Sequence, residues 1–181
     1  MGAVRPNDEQ PAPTLSDAEL HLIGEGNELR LYDKLGAQLR KVEGVHGTAF
    51  AVWAPNAKRV SVVGDFNDWD GRRHVMRRLG DSGVWEVFVP EVGQGAHYKF
   101  ELINAHDRLL LKTDPMGRFF EKAPKSAAIV WDTSRFSWSD QAWLEQRATQ
   151  NALELPMSIY EVHLGSWRKH NDAESYSYRE L

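Results

Sequence analysis

The run Val63-Gly64-Asp65-Phe66-Asn67-Asp68-Trp69-Asp70 gathers the densest set of chemically capable side chains in the sequence. Its carboxylates raise the question of glycoside chemistry, which needs two carboxyl groups held about 5 to 10 Å apart across a cleft, one of them kept protonated. Asp65, Asp68 and Asp70 do not read that way. They alternate with Phe66, Asn67 and Trp69 on a tight turn, where Asp and Asn side chains hydrogen-bond their own backbone. The cluster is expected to form the turn, not a catalytic dyad. Trp69 offers another chemistry: the C–H face of a pyranose stacks on an indole, while amide, carboxylate and ammonium groups take its hydroxyls. Residue types alone leave two readings of Trp69, a core side chain or an exposed stacking platform.

The other candidates are weaker. His21, His46, His74, His97, His106, His163 and His170 show no HxH or HExxH spacing, so no metal is expected. Glu161 and His163 alternate and would share one face of a strand, which fits a polar layer better than a site. Gly71-Arg72-Arg73-His74 with Arg77 and Arg78 is the one basic concentration, but acidic residues flank it and no aromatic alternates with it. It reads as a solvated loop, and no nucleic-acid partner is expected. With 22 basic against 26 acidic residues the net charge of -4 gives no general attraction to polyanions. There is no Gly-rich phosphate loop, no GxSxG elbow and no cysteine, so nucleotide, serine-hydrolase, thiolate and iron–sulfur chemistry lack support and no cofactor is expected. No segment approaches the ~20 apolar residues of a membrane span, and the N-terminus lacks the pattern of a secretory signal. A cytoplasmic protein is expected.

What positions these residues is a run of short strands. Met1 to Pro13 carries too little apolar surface to order itself and reads as a mobile leader. Ser16 with Glu19 forms a capping-box pattern, with Leu15 and Leu20 placed as a hydrophobic staple, so a short helix should start there and stop near Gly24. From about Gly36 to Val130, apolar stretches alternate with turn residues. Strands are expected over 48–54, 59–64, 84–89, 96–103, 108–112 and 127–131. In 98–102, Tyr98, Phe100 and Leu102 share one face and Lys99 and Glu101 the other. Trp85, Val87 and Val89 repeat the pattern, and Trp53 and Trp85 are expected in the core. The expected fold is mainly β, an immunoglobulin-like antiparallel sandwich. The domains read as a leader and short helix over 1–29, the sandwich over 30–132, a linker over 133–156 with a helix capped by Ser139, and a new β run opening 157–181.

Three segments carry a resemblance: Phe50-Ala51-Val52-Trp53-Ala54-Pro55-Asn56-Ala57, Val60 to Trp69, and Tyr98-Lys99-Phe100-Glu101. Together they resemble the starch-binding-like sandwich that precedes the barrel in many α-glucan enzymes. Trp69 to His74, Leu111-Lys112-Thr113-Asp114-Pro115 and above all Ser158-Ile159-Tyr160-Glu161-Val162-His163-Leu164-Gly165-Ser166-Trp167-Arg168 narrow this to a likeness with the bacterial 1,4-α-glucan (glycogen) branching enzymes. The likeness covers roughly residues 30–181.

The resemblance implies retaining transfer of an α-1,4-glucan segment into α-1,6 branches of glycogen. It also implies that Tyr160 to Leu164 is the first strand of a (β/α)8 barrel, with Tyr176 to Leu181 opening its first helix. The catalytic Asp, Glu and Asp of that family lie on later strands, so the 181 residues are expected to be an inactive N-terminal part whose partners are glucan and the remainder of the barrel. For glucan binding it implies Trp69 as first platform and Lys99 as the ammonium, with Asn67 and Asp68 beside them; the second platform position falls on Leu111, which is not aromatic. The alternatives are a free-standing glycogen-binding module, opposed by residues 157–181, and a debranching or trehalose-releasing hydrolase, opposed by Gly165-Ser166-Trp167.

Overall fold

A computed structural model describes residues 11–150, 152–172 and 174–181. The expected leader lies largely in 1–10, outside the described residues. The first helix, α1 (Asp17–Glu25), starts where the capping box predicts: the Ser16 side chain accepts from the Glu19 N–H, and Glu19 accepts from the Ser16 N–H at 2.8 Å. It runs past Gly24 and ends at Gly26, whose φ of 74° supplies the left-handed closing residue.

The strands are β1 (Gly36–Val42), β2 (Val45–Trp53), β3 (Arg59–Gly64), β4 (Arg77–Arg78), β5 (Val84–Pro90), β6 (His97–Ile103), β7 (Leu109–Lys112), β8 (Phe119–Phe120) and β9 (Ala128–Ile129). They form two antiparallel sheets. One has the order β1-β2-β5-β4, the other β3-β6-β9-β8, with β7 also paired to β6. The faces that meet carry Phe50, Val52, Val60, Val62, Trp85, Val87, Val89, Tyr98, Phe100 and Val130, all buried in one cluster. This is the expected sandwich, and the alternation in 98–102 holds: Tyr98 and Phe100 are core while Lys99 and Glu101 face outward. Full burial of such aromatic and branched side chains contributes about 1.5–3 kcal/mol each, the dominant favourable term.

The first sheet is covered on its other face as well. Leu15, Leu35, Ala51, Leu79 and Val84 form a second buried cluster, with Leu20 and Ile23 of α1 against it. A fully buried carboxylate, Glu86, lies on this face. It accepts from the backbone N–H of Thr14 (3.0 Å) and of Leu15 (3.3 Å), from the Thr14 hydroxyl (3.0 Å) and from Arg77 Nη2 (2.9 Å). Buried charge is tolerated when paired and hydrogen-bonded, and here it anchors the chain entering α1.

Trp53 departs from expectation: it is 58% exposed, not core. Residues 47–52 of β2 are buried on both faces, so apolar neighbours do not reveal which face faces the other sheet. Trp53 is in step with Ala51, not with Phe50 and Val52, and it sits at the strand end, lining an apolar cleft of about 370 Å³ with Ile23, Leu31 and Met116.

The chain divides into two units, Met1–Phe136 and Ser137–Leu181. The second contains α2 (Gln141–Thr149) and a four-residue helix, α3 (Leu164–Trp167). Asp140, not Ser139, precedes α2, and it makes no side-chain cap. Residues 157–163 adopt no regular structure, and Ile159 and Tyr160 are exposed. A strand exists only through a neighbour, and among the described residues none pairs with this run. Ser177 accepts from the Leu181 N–H through its carbonyl and donates its N–H to Glu180, which makes a single capped turn where a helix was expected to open.

Candidate functional site: the Trp69 turn and the outer face of the second sheet

β3 ends at Gly64 and the chain turns back to run beside β3, where the Val62 N–H donates to the His74 carbonyl (3.1 Å) and the Met76 N–H to the Val60 carbonyl (2.8 Å). Asp65–Asn67 make one 3-10 turn. Asp68 and Trp69 follow with φ of 57° and 59°, both left-handed. That conformation costs a residue with a Cβ roughly 1–2 kcal/mol, and two in succession, one of them a tryptophan, is an outlier held by its surroundings. The restraints are identifiable. The Trp69 N–H donates to the Gly64 carbonyl at 2.9 Å and the Asp70 N–H to the Asn67 carbonyl at 3.1 Å. Asn67 is 1% exposed; its Oδ1 accepts from the Gly64 N–H (2.9 Å), and its Nδ2 donates to the Val62 carbonyl (2.9 Å) and lies 2.8 Å from His74 Nδ1.

Beyond the turn the loop settles on the sheet. A Cβ at Gly71 would lie 2.0 Å from Glu101 Oε1, so any larger residue would have to displace that carboxylate, and Val75 then bridges Ser61 along the edge of β3. Trp69 itself is 42% exposed. On the face that carries Glu101, Lys99 Nζ donates to the Ser126 hydroxyl (2.9 Å), and the Thr113 hydroxyl donates to the Ser126 carbonyl (2.6 Å). Glu101 pairs with Arg59 at 2.6 Å, and Leu111 stands opposite Glu101 in register, 53% exposed.

The carboxylates of the turn are consumed singly. Asp65 accepts from the His97 N–H (3.1 Å), Asp68 pairs with Arg73 (2.9 Å), and Asp70 with Arg72 (2.8 Å). Arg72's hydrogen bonds hold the Asp70 carboxyl well below the usual carboxylate range. No two carboxylates share a site here, so the turn has no means of keeping one protonated as an acid, as the sequence suggested. The basic run is likewise paired, through Arg72, Arg73 and Arg77. Among the described residues no group of three potential metal ligands converges. Glu161 and His163 are exposed, and His163 Nδ1 lies 2.7 Å from the Ser166 hydroxyl.

The strongest titration perturbation lies elsewhere, in the sandwich interior. Burial pushes the Asp114 carboxyl up, against the opposing pull of the hydrogen bond from the Tyr98 hydroxyl at 2.5 Å; burial raises Tyr98 as well. The Met116 N–H also donates to Asp114. Both carboxylate oxygens are thus spent on the fold.

Of the four residues the sequence nominated, the structure places Trp69 at the surface and Lys99 on the face that Gly71 lies against. Asp68 is exposed but paired. Asn67 is the correction: its amide is buried and used up by the turn, so it holds Trp69 in place instead of facing a ligand. Ser126, Thr113 and His74 were not nominated. Ser126 reaches Lys99 from 27 positions away, with no local signal. His74 had one: it closes the Trp69 to His74 run that carries part of the resemblance.

Residues 34–117 match the family model Carbohydrate-binding module 48 (Isoamylase N-terminal domain). Over these residues the chain is similar to that module. The match spans β1 to β7 and includes Trp69, Lys99 and Leu111. Beyond it, the chain is 59% identical over 170 residues to the 1,4-alpha-glucan branching enzyme GlgB of Rubrobacter xylanophilus, covering 93% of this chain and 23% of that relative. It is 55% identical over 158 residues to the enzyme of the same name from Paramagnetospirillum magneticum, covering 87% and 21%. The chain thus spans under a quarter of the length of these relatives. A pullulanase of Klebsiella pneumoniae, solved as a maltotriose complex, is 27% identical over 54% of this chain and 11% of its own, with a TM-score of 0.45. No helix of the described residues is long and apolar enough to cross a membrane.

Proposed function

We propose that this chain is the N-terminal part of a cytoplasmic 1,4-α-glucan branching enzyme, and that its family-48 module holds α-1,4-glucan through Trp69. The whole protein would cut an α-1,4-glucan and rejoin the piece as an α-1,6 branch by retaining transfer. Residues 157–181 would lead into its catalytic barrel, and this chain alone would not branch glucan. One observation carries the binding reading: a tryptophan is kept in a strained left-handed conformation, partly exposed, on a loop whose Gly71 lies against the face that carries Lys99. Strain of that kind is maintained where a side chain must be presented, since a buried structural tryptophan gains nothing from it. Lys99 and Ser126 would take sugar hydroxyls at the edge of the indole, and Leu111 would supply a weak apolar second contact.

The test is affinity electrophoresis of the 181-residue chain in native gels with and without glycogen, with Trp69→Ala alongside. Retardation that disappears in the variant supports the reading. Equal migration of both proteins in both gels would overturn it and leave the module a structural collar for the barrel. Branching activity from this chain alone would contradict the assignment of the chemistry to residues outside it.

A further inference from the structure

The turn that presents Trp69 is closed by a hydrogen bond whose direction is fixed. Asn67 Oδ1 accepts from the Gly64 N–H, so the amide cannot be reversed, and one Nδ2 hydrogen is taken by the Val62 carbonyl. The second Nδ2 hydrogen points to His74 Nδ1 at 2.8 Å. A nitrogen receiving that hydrogen must carry a lone pair, so His74 is neutral, with its proton on Nε2. The ring is also tied to the core: it packs edge-on to Phe66 at 5.7 Å, and Phe66 stacks on Phe50.

We propose that His74 is a positioning residue for the glucan platform, a neutral acceptor that clamps Asn67 and thereby holds Asp68 and Trp69 left-handed. This rests on the glucan-binding reading of Trp69. Protonation would place an N–H against the amide N–H, remove the acceptor and release the turn, so the clamp is also sensitive to acid.

The charged groups around this loop are Arg73, adjacent in sequence and paired with Asp68; Arg72 with Asp70; and, on the strands beneath Gly71, Glu101 with Arg59. No carboxylate among the influences on the ring stabilises its cation. Burial first, and then the neighbouring Arg73, lower the His74 pKa. With the native pKa below the unfolded one, the clamp is complete above the ordinary histidine range. It is lost as pH falls through the lowered value.

Two substitutions separate the acceptor from mere bulk. In His74→Asn, the Oδ1 atom falls where Nδ1 stood and accepts without titrating. In His74→Leu, the acceptor is gone. Gel retardation by glycogen is compared for wild type and both variants at about pH 8 and about pH 5, which bracket the histidine range. His74→Leu should bind about five- to tenfold more weakly at the higher pH, the effect of losing one buried hydrogen bond. His74→Asn should restore binding and stay level at both values, while wild type weakens at the lower one. If His74→Leu binds like wild type, or His74→Asn is as weak as His74→Leu, the clamp is refuted.

The imidazole 15N shifts of His74 and the backbone amide shift of Trp69 keep the test independent of glycogen. A proton on Nδ1, or a Trp69 amide that does not move in His74→Leu, also refutes the clamp. If wild type ignores glycogen while the Nε2–H tautomer is present and Trp69 shifts in His74→Leu but not in His74→Asn, the clamp stands as a device of the turn and only the glucan reading falls.

Discussion

Replacing Glu86 by alanine should detach the N-terminal segment from the sandwich. The carboxylate is fully buried and receives the N–H groups of Thr14 and Leu15, the Thr14 hydroxyl and the Arg77 guanidinium, whose Nη1 also reaches the Pro11 carbonyl. Its removal strands Arg77, only 20% exposed, without its counter-ion, and leaves two backbone donors unsatisfied. Breaking a buried pair on one side costs about 3–5 kcal/mol, and an orphaned buried donor about 1–3 kcal/mol. Because Arg77 and the loosened segment can swing toward water, the lower figure applies, about 3–4 kcal/mol. Urea unfolding followed by tryptophan fluorescence should show the midpoint fall with little change in slope, and the thermal midpoint should drop by roughly 10 °C or more. Glu86→Gln keeps the shape but turns one acceptor into a donor facing donors, and should lose about 2 kcal/mol. Amide exchange should localise the effect, with α1 and Leu15 opening before β2 and β5. A Glu86→Ala protein within about 1 kcal/mol of wild type would refute the reasoning.

Leu111→Trp should strengthen glycogen retardation by about three- to tenfold, since a stacking contact is worth about 0.5–1.5 kcal/mol and the position is exposed on the platform face; unchanged mobility would count against that face. Gly71→Ala should drive the Glu101 carboxylate off Arg59, lowering stability by about 1–2 kcal/mol and weakening glycogen binding, and adding Glu101→Ala should recover part of that loss in both assays. The hydrogen bond from Lys34 pulls Glu19 down to about 2 from an ordinary 4.5. Glu19 therefore adds stability above about pH 4.5 that is lost as pH falls toward 2, and Lys34→Ala should lower the neutral midpoint while leaving the acid end nearly in place, which flattens this part of the unfolding profile.

The sequence was most legible where structure is local. The Ser16–Glu19 capping box lies within four consecutive residues, and β3 falls where its apolar run ends. β4 and β8 are two residues each and exist only as partners of β5 and β9, so no periodicity could reveal them. β1 mixes small and charged residues and borrows its strand character from β2. Trp53 was misplaced because burial on both faces of β2 erases the alternation that would have oriented it. At the site, Trp69 and Lys99 were legible from residue type and resemblance. The duty of Asn67 was not, because its partners are two backbone atoms and a histidine that meet only after the loop folds back.

The sheet order has a consequence for crowding. β1 and β4 are the two edges of the first sheet, rows of backbone donors and acceptors that a second copy could extend. β1 carries Arg40 and Lys41 in its outer half, and β4 presents Arg78, its Arg77 being turned inward to Glu86. Copies approaching edge to edge would set these cations against their equivalents before any ladder could form. On the glucan-binding reading, copies would meet at high local concentration on a branched polymer, and this arrangement would disfavour a ladder between them.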